Sequence, residues 1–260
     1  MSGTTKIEWA DKVWNPITGC SPVSEGCANC YARRMANRLK GRYGYPKDDP
    51  FRVTFHPDRL DEPPRWKKPC RIFICSMGDL FHEQVKATCI EKIFKSMVSG
   101  YWHKYLILTK RPEEAIKIGG WIKNLSDNSD LMFGVSVENQ RTADERIPIL
   151  LQIPAAKRFV SVEPMLEKID LGHFLLGKAE PSLGLCPHGS ESCRCNYTWI
   201  PGLDWVICGG ETGPKAGPMN PGWARSLKNQ SRAAGVPFFF KQMSNKQPIP
   251  KDLMIREYPK

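Results

Sequence analysis

Short apolar runs recur along the chain. Each stops at a polar loop, and most are followed by a stretch with helical periodicity. Residues 71–75, 105–109, 131–137, 158–162, 204–208 and 236–241 are rich in Ile, Leu, Val, Phe and Tyr, which predicts buried strands. Helical patterns follow over 86–98, from Pro112 onward, over 140–151 and over 221–234. Proline suits the first helical turn, and Gly235 supplies a stop for the last helix.

Strand–helix alternation over this length predicts an α/β fold with a parallel sheet and covering helices. Six repeats suit a partial (β/α)6-type barrel, in which the chemistry gathers at the C-terminal ends of the strands. Those ends read Ser76-Met77-Gly78-Asp79, Thr109-Lys110-Arg111, Ser136-Val137-Glu138-Asn139, Ser161-Val162-Glu163-Pro164 and Gly209-Gly210-Glu211-Thr212. Each turns polar where the apolar run stops; a doubly wound open sheet follows a similar rule. Two regions depart from the alternation. Residues 40–69 read as an extended connection, and 166–201 as a Cys-rich insertion before the last repeat. The whole, 1–260, reads as a single partial-barrel domain.

Composition narrows the classes of function. Of 260 residues, 41% are hydrophobic and 25% charged, as in ordinary globular proteins. No run approaches the roughly 20 apolar residues of a membrane span, and the polar first residues lack a signal-peptide core. The expectation is a protein of the cytoplasm, of a bacterial host or of its phage, with no membrane partner. In that reducing setting ten cysteines are better read as metal ligands or core residues than as disulfides. The net charge of +11 favours polyanionic partners, with a nucleic acid or nucleotide the foremost candidate.

Three of the cysteines cluster in Gly19-Cys20-Ser21-Pro22-Val23-Ser24-Glu25-Gly26-Cys27-Ala28-Asn29-Cys30-Tyr31-Ala32-Arg33, a Cys-x6-Cys-x2-Cys spacing with glycines before the first two. By spacing alone the site accommodates zinc with a distant fourth ligand, or an iron–sulfur cubane with one iron left open. The motif resembles that of the radical S-adenosylmethionine superfamily, whose usual spacing is Cys-x3-Cys-x2-Cys with an aromatic residue beside the last cysteine, here Tyr31. Asn15-Pro16 before the cluster, Cys30-Tyr31-Ala32-Arg33 after it, and the segments at Ser76–Asp79 and Thr109-Lys110 resemble the spore photoproduct lyase-like branch. From Thr5 to about Met243 the chain also resembles a largely phage-borne family with the same three-cysteine motif.

The resemblance implies that Cys20, Cys27 and Cys30 ligate a [4Fe–4S] cluster whose open iron binds S-adenosylmethionine. One electron, from a donor such as flavodoxin or ferredoxin, would then release a 5′-deoxyadenosyl radical that abstracts a hydrogen atom. Tyr31 beside the last cysteine, and Ser76, Met77, Gly78, Asp79, Thr109, Ser136 and Glu138 just past the predicted strands, are the expected cofactor contacts, with the ammonium held at the segment ending in Asp79. Glu163, Glu211 and Lys110 are the expected catalytic residues. Gly209-Gly210-Glu211 looks like the superfamily's ammonium-binding element but follows the last repeat instead of the second strand, so Glu211 is expected to face substrate or ribose.

Cys186, His188, Cys193 and Cys195 form a second group in the insertion. A zinc site, a second iron–sulfur cluster and a metal-free loop all fit its spacing. The expected activity is modification or rearrangement of a nucleobase, by an isomerase, lyase or other base-modifying reaction, with thymine-type hypermodification of phage DNA the concrete form. Two other readings stand beside it: a zinc-stabilised, non-catalytic nucleic-acid-binding protein, and a radical enzyme acting on a peptide or small metabolite.

Overall fold

Each predicted apolar run becomes a strand, and all of them join one sheet. The structure, a computed structural model, describes residues 3–5, 7–128, 130–181 and 197–260. In chain order the elements are β1 (Gly3–Thr4), β2 (Lys12–Trp14), β3 (Ile17–Thr18), α1 (Tyr31–Arg38), β4 (Thr54–Phe55), α2 (Glu62–Arg65), β5 (Arg71–Ile74), α3 (Ala87–Ser99), β6 (Lys104–Thr109), α4 (Pro112–Ile116) and α5 (Gly119–Asn128). There follow β7 (Asp130–Val137), α6 (Gln140–Gln152), β8 (Lys157–Val162), α7 (Gly172–Leu175), β9 (Lys178–Pro181), β10 (Tyr197–Ile200), β11 (Trp205–Gly209), α8 (Pro221–Ala233) and β12 (Phe238–Gln242).

The main sheet runs β1-β2-β5-β6-β7-β8-β11-β12. Its seven strands from β2 to β12 are mutually parallel, and β1 adds antiparallel at the β2 edge. Each new parallel strand is laid on the same side of the last. A doubly wound sheet would reverse direction at a switch point, whereas an unreversed order curls into a barrel. The result is a half-barrel.

Alternation along the strands gives the sheet two apolar faces. Ile72, Ile74, Tyr105, Ile107, Phe133, Val135, Val160 and Val162 belong to the larger core, with helix residues such as Ile93, Met97 and Ile147. Phe73, Leu106, Met132, Phe159, Trp205, Ile207 and Phe239 fill the concave side, where Trp9 packs its ring 4.6 Å from that of Phe73. Burying such side chains stabilises by roughly 1.5–3 kcal/mol each. Continued toward the C-terminal ends, the same inward register reaches Asn15, Lys110, Ser136, Glu163 and Lys241, all of which border an open cavity.

Three details differ from the sequence-based expectation. The parallel strands number seven, because β2 is a three-residue strand too short to register as an apolar run. The helix from Pro112 is two helices, α4 and α5. Residues 40–69 do more than connect: β4 pairs antiparallel with β3, and a 3₁₀ turn at Pro57–Arg59 leads to α2. Buried Arg59 fixes this segment by donating to the Asn15 and Tyr43 carbonyls, each at 2.7 Å. Between β8 and β11 the chain forms α7 and the β9–β10 hairpin, in which Tyr197 pairs with Pro181. Among the described residues no helix is long and apolar enough to cross a membrane.

Candidate active site

The three-cysteine loop is seated by two glycines. Gly19 has φ +87° and donates its N–H to the Met77 carbonyl at 2.9 Å; a Cβ there would lie 2.2 Å from the Arg52 carbonyl oxygen. Gly26 lies flat against Glu138, whose Cγ would be 2.4 Å from an added Cβ. Only glycine meets both demands, one conformational and one of space. Cys27 then ends a 3₁₀ turn, and Cys30 caps α1, its sulfur accepting from the Arg33 N–H at 3.5 Å. All three cysteines are half-buried free thiols that border one cavity of about 790 Å³.

The strand ends supply the opposing walls. The buried Asn15 carboxamide oxygen accepts from Ser76 Oγ at 3.2 Å and from the Met77 N–H at 2.9 Å. Asp79, also buried, accepts from Thr109 Oγ1 at 2.8 Å, the Phe81 N–H at 3.0 Å, the Lys110 N–H at 3.2 Å and the Arg111 guanidinium at 3.5 Å. Arg111 reaches back into the cysteine loop. It donates to the Cys20 sulfur at 3.2 Å, to Ser21 Oγ at 2.9 Å and to the Ser21 carbonyl at 3.1 Å. Lys110 Nζ lies 3.7 Å from the Cys27 sulfur and pairs with Glu138. Glu138 is fully buried; it also pairs with Arg146 at 3.1 Å and accepts from Ser24 Oγ at 2.9 Å.

These contacts set the charges. Burial and the Asp79 carboxylate push the Cys20 thiol up to about 11, against the opposing pull of Arg111. At Cys27 burial also acts upward, but the Lys110 ammonium and hydrogen bonds from Val23 and Ser24 prevail and bring the thiol below its ordinary value. Burial alone would raise the Glu138 carboxyl; Lys110 and Arg146 overcome it and hold the group below the usual carboxylate range.

Across the cavity, Glu163 pairs with Lys241 at 2.6 Å and meets the Gln242 amide at 3.5 Å. Glu211 accepts from the Gly217 N–H at 2.9 Å. The loop after β11 is tied to the cysteine segment by Arg34, which donates to the Thr212 carbonyl at 2.8 Å, and by Asn29, which donates to the Lys215 carbonyl at 3.0 Å. First and last repeats thereby meet over the open side of the half-barrel. Tyr31 stands at the mouth, 53% exposed.

Cys20, Cys27, Cys30, Tyr31, Ser76, Met77, Gly78, Asp79, Thr109, Lys110, Ser136, Glu163 and Glu211 thus border a single cavity. Glu138 stands behind its wall, engaged with Lys110, Arg146 and Ser24. Sequence reading missed Asn15, Arg111, Lys241 and Gln242. Arg111 carried a usable signal: proline at the next position disfavours helical backbone, so its side chain belongs to the strand end and not to α4. Cys186, His188, Cys193 and Cys195 lie outside the described residues. Among the described residues no three His, Cys, Asp or Glu side chains are grouped as ligands of a single ion.

The half-barrel is a fold shared with spore photoproduct lyase. A cysteine-to-serine variant of that protein superposes with a TM-score of 0.51 at 12% identity, over 92% of this chain and 79% of the other. Spore photoproduct lyase complexed with dinucleoside spore photoproduct gives a TM-score of 0.49 at 11% identity, over 89% of this chain; the alignment spans 64% of that protein's length. A doubly substituted variant with bound AdoMet and dinucleoside spore photoproduct gives 0.45 at 11% identity, over 89% and 64% of the two chains. No curated protein matches the sequence. The family model described as protein of unknown function (DUF5131) matches residues 4–255, and the chain belongs to that family. The family match carries no indication of phage origin.

Proposed function

We propose that this chain is a radical S-adenosylmethionine enzyme acting on a nucleobase. The observation that carries the reading is the convergence of Cys20, Cys27 and Cys30 on one cavity with the strand-end residues Ser76, Asp79, Thr109, Lys110 and Glu163. The donor set fits the implied cluster. Three half-buried thiols facing one cavity would suit a [4Fe–4S] centre with one open iron, and cationic donors at two of the sulfurs suit an anionic cluster. A closed zinc site would need a fourth ligand beside the three cysteines.

When bound, the cluster would supply the electron that cleaves S-adenosylmethionine to a 5′-deoxyadenosyl radical. The chain's own part is placement and exclusion of water. Arg111 and Lys110 would hold the Cys20 and Cys27 sulfurs in register. Met77 and Gly78, whose backbone is fixed by Asn15 and Gly19, would border the adenosine portion. Tyr31 and Ser136 would flank it, and Asp79, with Thr109, would act chiefly by orienting Arg111. Glu163, Lys241 and Glu211, on the far wall, would face the substrate, where a carboxylate and an ammonium 2.6 Å apart offer an acceptor and a donor to a base edge.

The test is anaerobic reconstitution with iron and sulfide. The expected product is brown, absorbs broadly near 400 nm, and loses that absorbance in a Cys20→Ala, Cys27→Ala or Cys30→Ala variant. With a reductant it should release 5′-deoxyadenosine from S-adenosylmethionine, faster when an oligonucleotide or nucleotide is present. A colourless protein that binds one zinc at the three cysteines would overturn the proposal.

A further inference from the structure

α1 and the loop after it carry an unusual charge run. From Tyr31 to Lys47 there are six cations, Arg33, Arg34, Arg38, Lys40, Arg42 and Lys47, and no carboxylate, against a net +11 for the whole chain. Arg34 is spent on the Thr212 carbonyl. The other five are exposed, and among the described residues none forms an ion pair, whereas nearby Arg52 is matched to Asp48 at 2.8 Å. Five unneutralised cations along one short segment repel one another unless something anionic lies on them.

Tyr43 adds a second observation. It is 58% exposed and takes φ +53°, a conformation that bulky residues avoid. Its carbonyl is gripped at 2.7 Å by buried Arg59, whose other arm holds the Asn15 carbonyl beneath the cavity. The fold therefore spends a buried guanidinium on presenting an aromatic ring to solvent between Arg42 and Gly44. Such strain, held in place by surrounding structure, marks functional positions. The surface is continuous with the cavity, since Ala32, Met35 and Leu39 of the same segment form part of its wall.

We propose that this surface is the docking track for a single nucleic-acid strand, with phosphates on Arg38, Lys40 and Arg42 and a base stacked on Tyr43, delivering the neighbouring nucleotide to the cavity. It rests on the nucleobase reading of the cavity and adds that the substrate is a polymer. Phosphate contacts with an adjacent exposed aromatic are the ordinary means of gripping a single strand.

The experiment measures binding of labelled 20-nucleotide DNA and RNA strands by fluorescence anisotropy from 50 to 300 mM salt, using the full chain. Arg38→Gln combined with Lys40→Gln is compared with Lys67→Gln combined with Lys68→Gln, which removes equal charge just before β5, at the opposite end of the barrel. The track variant should bind about tenfold or more weakly near 100 mM salt, with the slope of log K against log salt reduced by about 1.4. The control pair should stay within about twofold, and Tyr43→Ala should weaken binding by about tenfold without changing the slope. The DNA and RNA arms identify the strand. Equal losses in track and control variants, unaltered binding in the track variant, or a mononucleotide competing as well as a strand would each overturn the track. None of these touches the cavity reading, which stands or falls on anaerobic 5′-deoxyadenosine release. Absence of strand binding by the unaltered protein overturns the track as well.

Discussion

Arg111 donates to the Cys20 sulfur at 3.2 Å and, through the same guanidinium nitrogen, to the Asp79 carboxylate at 3.5 Å. One buried side chain thus links the cysteine loop to the ends of β5 and β6. It works beside the Gly19 N–H, which donates to the Met77 carbonyl at 2.9 Å, and Ser21 Oγ, which lies 2.8 Å from His82 Nε2.

Arg111→Met should therefore destabilise the protein as well as loosen the loop. It leaves the buried Asp79 carboxylate facing only neutral donors and removes two hydrogen bonds to Ser21. Breaking a buried pair from one side costs about 3–5 kcal/mol. Urea unfolding of the cluster-free chain checks this: the midpoint should fall. A midpoint equal to that of the parent would show that Asp79 does not depend on the guanidinium. Arg111→Lys should recover only part of the loss, because one ammonium cannot serve Cys20, Ser21 and Asp79 together.

Gly26→Ala isolates the seat of the loop. The new Cβ would lie 2.4 Å from the Glu138 side chain, which Lys110, Arg146 and Ser24 hold in place. The loop must give way, at a cost of about 1–3 kcal/mol. Iron bound per chain after reconstitution should drop markedly while the far-ultraviolet spectrum is unaltered. Full iron loading would mean that the close approach of Gly26 to Glu138 is incidental.

Much of this arrangement was legible beforehand, because a parallel strand buried on both faces leaves an unbroken apolar run. The runs at 71–75, 105–109, 131–137, 158–162 and 204–208 marked five strands to within a residue or so at each end. The polar residues after them marked the cavity. Polar side chains that are buried left a fainter trace, or none. Arg111 looks like one half of a solvated pair with Lys110, yet it is 4% exposed. Arg59 and His56 sit in a stretch so rich in charge and proline that it reads as a connection, although both are buried and bonded. Glu138 shows a burial that its position does not announce. Its place after a strand suggests the cavity, but Arg146, two turns along α6, and Lys110 draw the carboxylate behind the wall.

Glu138 also predicts an acid limb of stability. Its carboxyl is held by Lys110 and Arg146 below the ordinary glutamate value of 4.5 in the folded chain, so the unfolded chain takes up a proton first as pH falls. The stabilisation is complete above about pH 4.5 and is lost as pH falls through the folded value. Glu138→Gln keeps the shape but not the charge, leaving Lys110 and Arg146 less well matched. Melting temperature against pH should show the variant below the parent near neutrality and converging on it in acid. A constant gap across the range would mean that the charge of Glu138 contributes nothing.

His56 gives a second pH dependence, in a different window. The ring is 4% exposed, its Nε2 lies 2.8 Å from Thr18 Oγ1, and burial together with the Arg59 cation lowers its pKa from 6.5 to about 4. The folded chain holds the ring neutral while the unfolded chain protonates it at 6.5. Between those values the unfolded state binds more protons, so stability rises with pH across the interval. The contribution is complete above 6.5 and gone once pH has fallen through about 4, a change of about 3 kcal/mol. Because His82 is also lowered, by burial and Arg111, the parent curve alone does not isolate His56. The difference between the parent and His56→Gln does: it should shrink as pH falls from 6.5 toward 4. Proton resonances of the His56 ring should show no titration above about pH 5. If the ring titrates near 6.5, the segment carrying His56 and Arg59 does not pack against β3 as described.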